Sequence, residues 1–220
     1  MSAYALVKRP FDMVVAACVL IVTSPLILLG AIAVKLGSPG PVFYRAQRAG
    51  KGGRPFEMLK LRTMRMGLDA SDRRVTEAND ARVTAVGQLL RKTKIDELPQ
   101  LWNVLRGDMS IVGPRPEDWE IVQRYFTPEQ RRVLEVRPGI ASPVDVEWYP
   151  DLTYHDPLPP DVPMQEHYVR RHMPLQVDSA LRYISKPSLL LDLKVIGQLI
   201  YCVVVYSWRS PRKRPLPRGL

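Results

Sequence analysis

The chain has 220 residues, of which 46% are hydrophobic and 25% charged, and its formal net charge is +10. That is enough for one domain with a real core and an appendage; it excludes a chain disordered throughout and calls for an anionic partner, either nucleic acid, an anionic membrane surface or phosphorylated small molecules. Cys18 and Cys202 both sit in apolar runs and read as small buried hydrophobes of a reducing compartment, while His155, His167 and His172 are scattered and no Cys/His cluster has zinc spacing.

The first element is an apolar run, Met13 to Val34, of 22 residues without a charge. As a straight helix it would reach about 33 Å, enough to cross a bilayer core. Pro25 lies near its middle, where the missing N–H and the ring kink a helix, and Thr23 and Ser24 can bond the carbonyls so freed. Both flanks are basic, with Lys8 and Arg9 before the run and Lys35, Arg45 and Arg48 after it, and the positive-inside rule keeps both in the cytoplasm. A helix broken at Ser24-Pro25 that enters and leaves by one face satisfies both observations. A plain spanning helix with a tolerated proline is narrowly favoured by physics alone. A signal peptide cleaved after Ala31-Ile32-Ala33 fits less well, because the run is long and the region after it is basic.

Gly37-Ser38-Pro39-Gly40-Pro41 ends this segment. Residues 42–44 and 56–61 read as short strands joined through Gly50-Lys51-Gly52-Gly53, a basic hairpin. Its glycine turn can offer N–H groups to phosphate but lacks the full P-loop pattern. Residues 65–80 read as a polar loop or frayed helix. A helix is predicted over 85–92, with Val86, Leu89 and Leu90 on one face. Another is predicted over 97–105, with Leu98, Leu101, Trp102 and Leu105 as its stripe. A third over 127–135 starts with Thr127 as cap and Pro128 at its first position. Residues 143–163, with six prolines, read as an irregular loop. The last helices span 166–185 and 188–207, divided at Pro187. Within the second, Val195 to Trp208 is too short for a comfortable crossing and reads as a core-packing helix or one lying in the membrane interface. A basic tail, RSPRKRPLPRGL, follows. The fold class is therefore mainly α with a small β-hairpin (α+β).

Residues 91–117, RKTKIDELPQLWNVLRGDMSIVGPRPE, carry the chemistry-bearing groups. Asp96 and Glu97 sit between Arg91, Lys92 and Lys94 and a rigid loop ending in Arg115. Arginine forks and lysines bind phosphate oxygens, and a carboxylate can hold Mg²⁺ or act as a nucleophile. Asp96 also falls where a helix N-cap belongs, with Glu97 at the first position and Pro99 at the third; from spacing alone, capping is the better explanation. Pro114 and Pro116 present Arg115 with little conformational freedom, either to a ligand or to an acid such as Glu117.

The chain resembles the bacterial sugar transferases of the monotopic polyprenyl-phosphate phosphoglycosyl transferase family, which initiate polysaccharide and glycoconjugate assembly. The matching pieces are Lys8-Arg9-Pro10-Phe11-Asp12, Ser24-Pro25, Gly40 to Arg45, Gln47-Arg48 and Phe56 to Met64. The most specific are Leu90-Arg91, Asp96-Glu97-Leu98-Pro99-Gln100-Leu101-Trp102-Asn103-Val104-Leu105 and Gly113-Pro114-Arg115-Pro116-Glu117. The resemblance implies transfer of a phosphosugar from a nucleotide sugar, in the UDP series, to undecaprenyl phosphate. It implies Asp96 as nucleophile and Mg²⁺ ligand, Glu97 as its catalytic neighbour, and Arg91, Arg115 and Lys60 as phosphate-binding groups. It also implies a re-entrant membrane helix over residues 1–36, broken at Ser24 and Pro25. A compact cytosolic helical domain over 37–220, with amphipathic interfacial helices, would lie on the cytoplasmic face of the inner membrane. The expected partners are the two substrates and the membrane, with no nucleic acid; a homodimer is compatible with this. A non-catalytic basic adaptor on the membrane surface is the competing expectation. After Arg137-Pro138-Gly139-Ile140 the chain departs from the family pattern with Ala141-Ser142-Pro143-Val144-Asp145, near where the nucleotide or sugar is expected.

Overall fold

A computed structural model describes residues 3–66, 80–150, 155, 156, 159 and 161–206. Most of the polar stretch expected at 65–80 and the whole basic tail lie outside these residues. The protein is mostly helical with a small antiparallel hairpin, in agreement with the α+β expectation.

Helix α1 runs over Ala3–Gly37 without interruption, through both Pro10 and Pro25. At 1.5 Å per residue it is about 52 Å long. Pro25 cannot donate to the carbonyl of Ile21, and the Ser24 hydroxyl supplies the missing bond at 2.8 Å. Thr23 bonds the Val19 carbonyl in the same way at 2.7 Å. The expected break at Ser24-Pro25 is thus not an end of the helical backbone, because side chains refill the ladder there.

Both ends of α1 touch the rest of the protein. Near the N-terminus, Arg9 donates to the Val104 and Leu105 carbonyls at 2.6 and 3.1 Å, and Ala16 is buried in the main core. Near the C-terminus, Val34 packs with Leu61 and Leu90. Gly30 is needed there, since a Cβ would stand 2.8 Å from Leu61 Cδ1. Between these contacts the helix is bare: Ile21 and Val22 are 73% and 76% exposed, and Leu26, Leu28 and Leu29 are exposed too. Cys18 shares this open surface and is not buried as expected, whereas Cys202 is.

Strands β1 (Phe43–Ala49) and β2 (Pro55–Leu61) pair antiparallel from Phe43↔Leu61 to Ala49↔Pro55. Asn103, fully buried, clips β2 from the side: its Oδ1 accepts from Leu59 N at 3.0 Å and its Nδ2 donates to Glu57 O at 2.8 Å. Arg62 holds the chain leaving α1 by donating to the Ser38, Pro39 and Pro41 carbonyls. These two clips fix Lys60 between them.

Helix α2 (Ala85–Thr93) is capped by Thr84, which accepts from Gly87 N. Gly87 lies against the backbone of Thr63, so close that a Cβ would sit 2.0 Å from the Thr63 carbonyl oxygen. A short 3₁₀ turn, Ile95–Glu97, leads to α3 (Gln100–Arg106). Leu101 faces the core as predicted, but Trp102 and Leu89 are exposed. Strands β3 (Ser110–Val112) and β4 (Gly139–Ala141) form a parallel pair that sequence periodicity is too short to reveal. Between them come α4 (Trp119–Tyr125), capped by Asp118, and a 3₁₀ segment over Gln130–Glu135. The start expected at Thr127 is a reciprocal box with Gln130, each side chain bonding the other's N–H. The expected loop at 143–163 begins instead with helix α5 (Pro143–Glu147), its proline in the first turn. Then come α6 (Met164–His167), a π turn (Tyr168–His172), α7 (Met173–Ser185) and α8 (Leu189–Tyr206). Helix α8 buries Asp192, Val195 and Cys202 and leaves Leu190, Leu193, Ile200, Tyr201 and Val204 outward.

Candidate active site

The site is built where α2 turns into α3. Helix α2 ends at Lys94, which adopts the left-handed conformation (φ 57°, ψ 15°) and closes the helix by donating to the Arg91 and Leu90 carbonyls. That conformation is normally taken by glycine or asparagine, because a Cβ makes it unfavourable. Among the described residues Lys94 is the one non-glycine with positive φ. The reversal swings Ile95–Glu97 inward. Asp96 becomes 5% exposed, and Glu97 is partly buried beside it.

Asp96 is not a helix cap. The 3₁₀ turn has no side-chain cap, and α3 starts three residues later, behind Pro99. The expected register was early, so the carboxylate meets no first-turn N–H groups. Its Oδ1 is buried without a hydrogen-bond partner. An unpaired buried carboxylate oxygen is costly and uncommon.

The electrostatics divide the acid pair. Burial raises the Asp96 pKa, the neighbouring Glu97 charge adds to it, and Lys60, Lys94 and Arg91 oppose. Burial also works against Glu97, but Lys60, Lys94 and Arg115 outweigh it and hold this carboxyl well below the usual range. The Lys60 ammonium donates to Glu97 Oε1 at 3.0 Å. Lys94 is raised, chiefly by the Glu97 charge. Arg91 is lowered by burial, with Asp96 the leading opposing charge, and its Nε donates to Thr63 Oγ1 at 2.8 Å. Glu97 is therefore the settled anion of the pair, and Asp96 the acid that holds its proton longest.

Of the residues expected at the site, Lys60, Arg91, Asp96 and Glu97 converge directly. Arg115 acts on Glu97 and Lys94 by its charge, but its guanidinium pairs with Asp145 at 2.5 Å. Its anticipated partner, Glu117, instead accepts from the Tyr168 hydroxyl and from Asp118 N. Asp145 belongs to the loop that departs from the family pattern; its pairing with Arg115 spans 30 positions, with no local signal. Ser24 and Pro25 lie on the exposed middle of α1. In the sequence Lys94 is only one of several nearby cations. Its left-handed backbone leaves no mark in the sequence.

Such a cluster can bind an oxyanion between Lys60, Lys94, Arg91 and Arg115, and it offers one free carboxylate oxygen to a metal ion or to phosphorus. Residues 3–206 match the family model described as bacterial sugar transferase. A UDP-glucose:undecaprenyl-phosphate glucose-1-phosphate transferase of Caulobacter vibrioides is 49% identical over 137 residues, 61% of this chain and 51% of the relative. A UDP-N-acetylgalactosamine-undecaprenyl-phosphate N-acetylgalactosaminephosphotransferase of Aeromonas hydrophila is 43% identical over 146 residues, 63% of this chain and 33% of the relative. An Escherichia coli UDP-glucose:undecaprenyl-phosphate glucose-1-phosphate transferase is 38% identical over 200 residues, 89% of this chain and 40% of the relative. The chain thus spans about half the length of the Caulobacter protein and less of the other two.

Proposed function

The chain belongs to the bacterial sugar transferase family, and from that premise we propose that it transfers a phosphosugar from a UDP-sugar to undecaprenyl phosphate. An Asp96 oxygen attacks the β-phosphorus of the donor. The bond from that phosphorus to the bridging oxygen breaks, and UMP leaves with the electron pair. The lipid phosphate oxygen then attacks the aspartyl phosphosugar, the bond to Asp96 breaks, and undecaprenyl diphosphate-sugar is released with the carboxylate restored. The observation that carries this reading is the buried Asp96 Oδ1, unpartnered inside a ring of cations.

Lys60, Arg91 and Arg115 supply the phosphate clamp. Each already has a partner in Glu97, Thr63 or Asp145, so donor binding exchanges one oxygen for another and does not have to neutralise a bare charge. Glu97, fixed as an anion by Lys60, holds that lysine and keeps negative charge beside Asp96. Mg²⁺ fits the hard oxygen donors here, with Asp96 as its protein ligand; when bound it neutralises diphosphate charge and favours the ionised carboxylate.

Membrane attachment by a re-entrant α1 is part of the proposal. Its support is that residues near both ends of the helix pack on one body, while the middle exposes a run of aliphatic side chains. A straight crossing would put the two ends on opposite sides of a bilayer about 30 Å thick. The apolar outer face of α8 adds an interfacial contact on the same side, which we place on the cytoplasmic face of the inner membrane. A basic adaptor has no use for a carboxylate buried at a cost, and the matched relatives are named as transferases.

The test is incubation with UDP-sugar alone, followed by intact-protein mass spectrometry. Wild type gains one phosphosugar and releases UMP, and Asp96→Asn does neither. An Asp96→Asn protein with full UMP release refutes the nucleophile assignment.

A further inference from the structure

Two of the three histidines that look scattered in the sequence, His167 and His172, are brought together with an acid from the proline-rich segment. Helix α6 passes into the π turn at Tyr168–His172, which widens one turn of the helix. His167 and His172, five positions apart, consequently stand side by side with ring centroids 4.9 Å apart and planes at 81°. Asp156 reaches them from the other side. Its Oδ2 lies 3.0 Å from Nε2 of His167 and 3.3 Å from Nε2 of His172. The three donor atoms all lie within 4.8 Å of one another.

These separations are short enough for one ion to be shared by all three side chains. Zinc with ligands at about 2.0–2.2 Å in a tetrahedron has ligand–ligand edges of about 3.3–3.6 Å. The two carboxylate–imidazole separations are at or just below that range. Both rings are buried, His167 to 7% and His172 to 1% exposure, and neither Nε2 is aligned for a hydrogen bond to the nearby carboxylate, whose Oδ2 is also approached by Arg171 Nε at 3.5 Å. That combination is expected when lone pairs converge on a common centre and not on each other. Buried polar atoms are otherwise almost always paired. Burial lowers the His172 pKa, and His167 adds to the shift against the pull of Asp156. The neutral imidazole is the form that binds metal. The Asp156 side chain is 21% exposed, which leaves a way in.

We propose that Asp156, His167 and His172 form a Zn²⁺ site that ties Asp156 to the π turn. The nitrogen-rich donor set separates it from the all-oxygen site at Asp96, since imidazole favours zinc where carboxylates favour magnesium. The site also has a structural neighbour of consequence. Tyr168, within the same turn, donates to Glu117 and meets the His172 ring at 6.1 Å. Glu117 follows Arg115-Pro116, so the ion braces the loop that presents Arg115.

Full-length protein in detergent, stripped with chelator, would be loaded with Zn²⁺ in excess Mg²⁺, desalted and analysed for metal. Co²⁺ loading serves as the optical probe. Wild type is expected to retain one Zn²⁺ per chain, to melt at a higher temperature with zinc, and to give the intense visible bands of a low-coordinate Co²⁺ ion. Asp156→Asn and His172→Gln are expected to bind at least about 100-fold more weakly, and Asp96→Asn to retain zinc. Asp156 is partly exposed, so its variant carries the comparison if His172→Gln does not fold. Wild type without stoichiometric zinc, an Asp156→Asn protein that still retains it, or a weak six-coordinate Co²⁺ spectrum would each overturn the assignment.

Discussion

Two buried acid–base clusters in this protein are bonded in opposite ways. One joins α1 to α7, α8 and β3. Lys8 pairs with Asp12 at 3.1 Å and Asp192 at 2.8 Å. Asp12 accepts from Ser110 Oγ and Ile111 N, and Asp192 from the hydroxyls of Tyr183 and Tyr4. Every carboxylate oxygen in it has a partner. The other cluster is built from the same residue types, with Lys60 and Lys94 facing Asp96 and Glu97, but it sets two acids side by side, leaves Asp96 Oδ1 unpaired and follows a left-handed lysine. A satisfied network holds the fold in place; an unsatisfied one is stable only because the rest of the chain enforces it, and it is available to a ligand.

The contrast breaks first if the two clusters respond alike to losing an acid. Asp96→Asn should lower UMP release by at least about 10³-fold without making the fold less stable to denaturant. Asp192→Ala should do the reverse, destabilising by about 3–5 kcal/mol because Lys8 keeps only Asp12 and the Tyr4 and Tyr183 hydroxyls lose their buried acceptor. The pH dependence sharpens this. Above the ordinary value of 3.8 the folded chain still holds the Asp96 proton that the unfolded chain has released, so stability falls as pH rises through the raised value. Asp96→Asn should therefore gain stability relative to wild type across that window. Glu97 runs the other way: its contribution is present above 4.5 and is lost as pH falls through its depressed value. Equal pH profiles for wild type and Asp96→Asn would contradict the division of charge between the two acids.

Next in size is Lys60, which separates settled anion from available acid. Lys60→Met removes the 3.0 Å bond to Glu97 and the leading charge that opposes the rise of Asp96. Steady-state UMP release should drop by roughly 10²-fold, the usual loss for one electrostatic donor at a reacting phosphoryl group. Its optimum should move to higher pH, since both carboxyls then ionise later. A loss in KM alone would make Lys60 a binding group without influence on the acids.

The hairpin, most helices and the Thr127 start are legible in the sequence because turn residues, caps and apolar spacing are local signals. The cluster of cations around Asp96-Glu97 is legible for the same reason. Whether Asp96 caps a helix is not, since the answer depends on α3 beginning after Pro99. Long-range features are equally silent. The β3–β4 pair needs Gly139, where a Cβ would sit 2.1 Å from Gly113 N, and three-residue strands carry no periodicity. Arg115 finds Asp145 because Pro143 starts an unexpected helix. His167 and His172 share a side because of one π turn, at a spacing of five that fits no helical metal motif.

The smallest effect separates the backbone at Lys94 from its charge. Lys94→Ala and Lys94→Gly both remove the ammonium that stabilises Glu97, so both should lose activity. They differ in the left-handed conformation, which alanine resists and glycine accepts at no steric cost. Lys94→Gly should therefore be about 1 kcal/mol more stable than Lys94→Ala, measured by denaturant unfolding in the same detergent. Identical stabilities would mean that the turn relaxes once the lysine is gone, and that its geometry is held by the Lys94–Glu97 attraction. A glycine advantage would mean that the fold imposes the turn on whichever residue stands there. In that case the unpaired Asp96 oxygen is a property of the scaffold and should persist in the Lys94→Gly protein, where the raised Asp96 pKa would remain measurable by the pH dependence of unfolding.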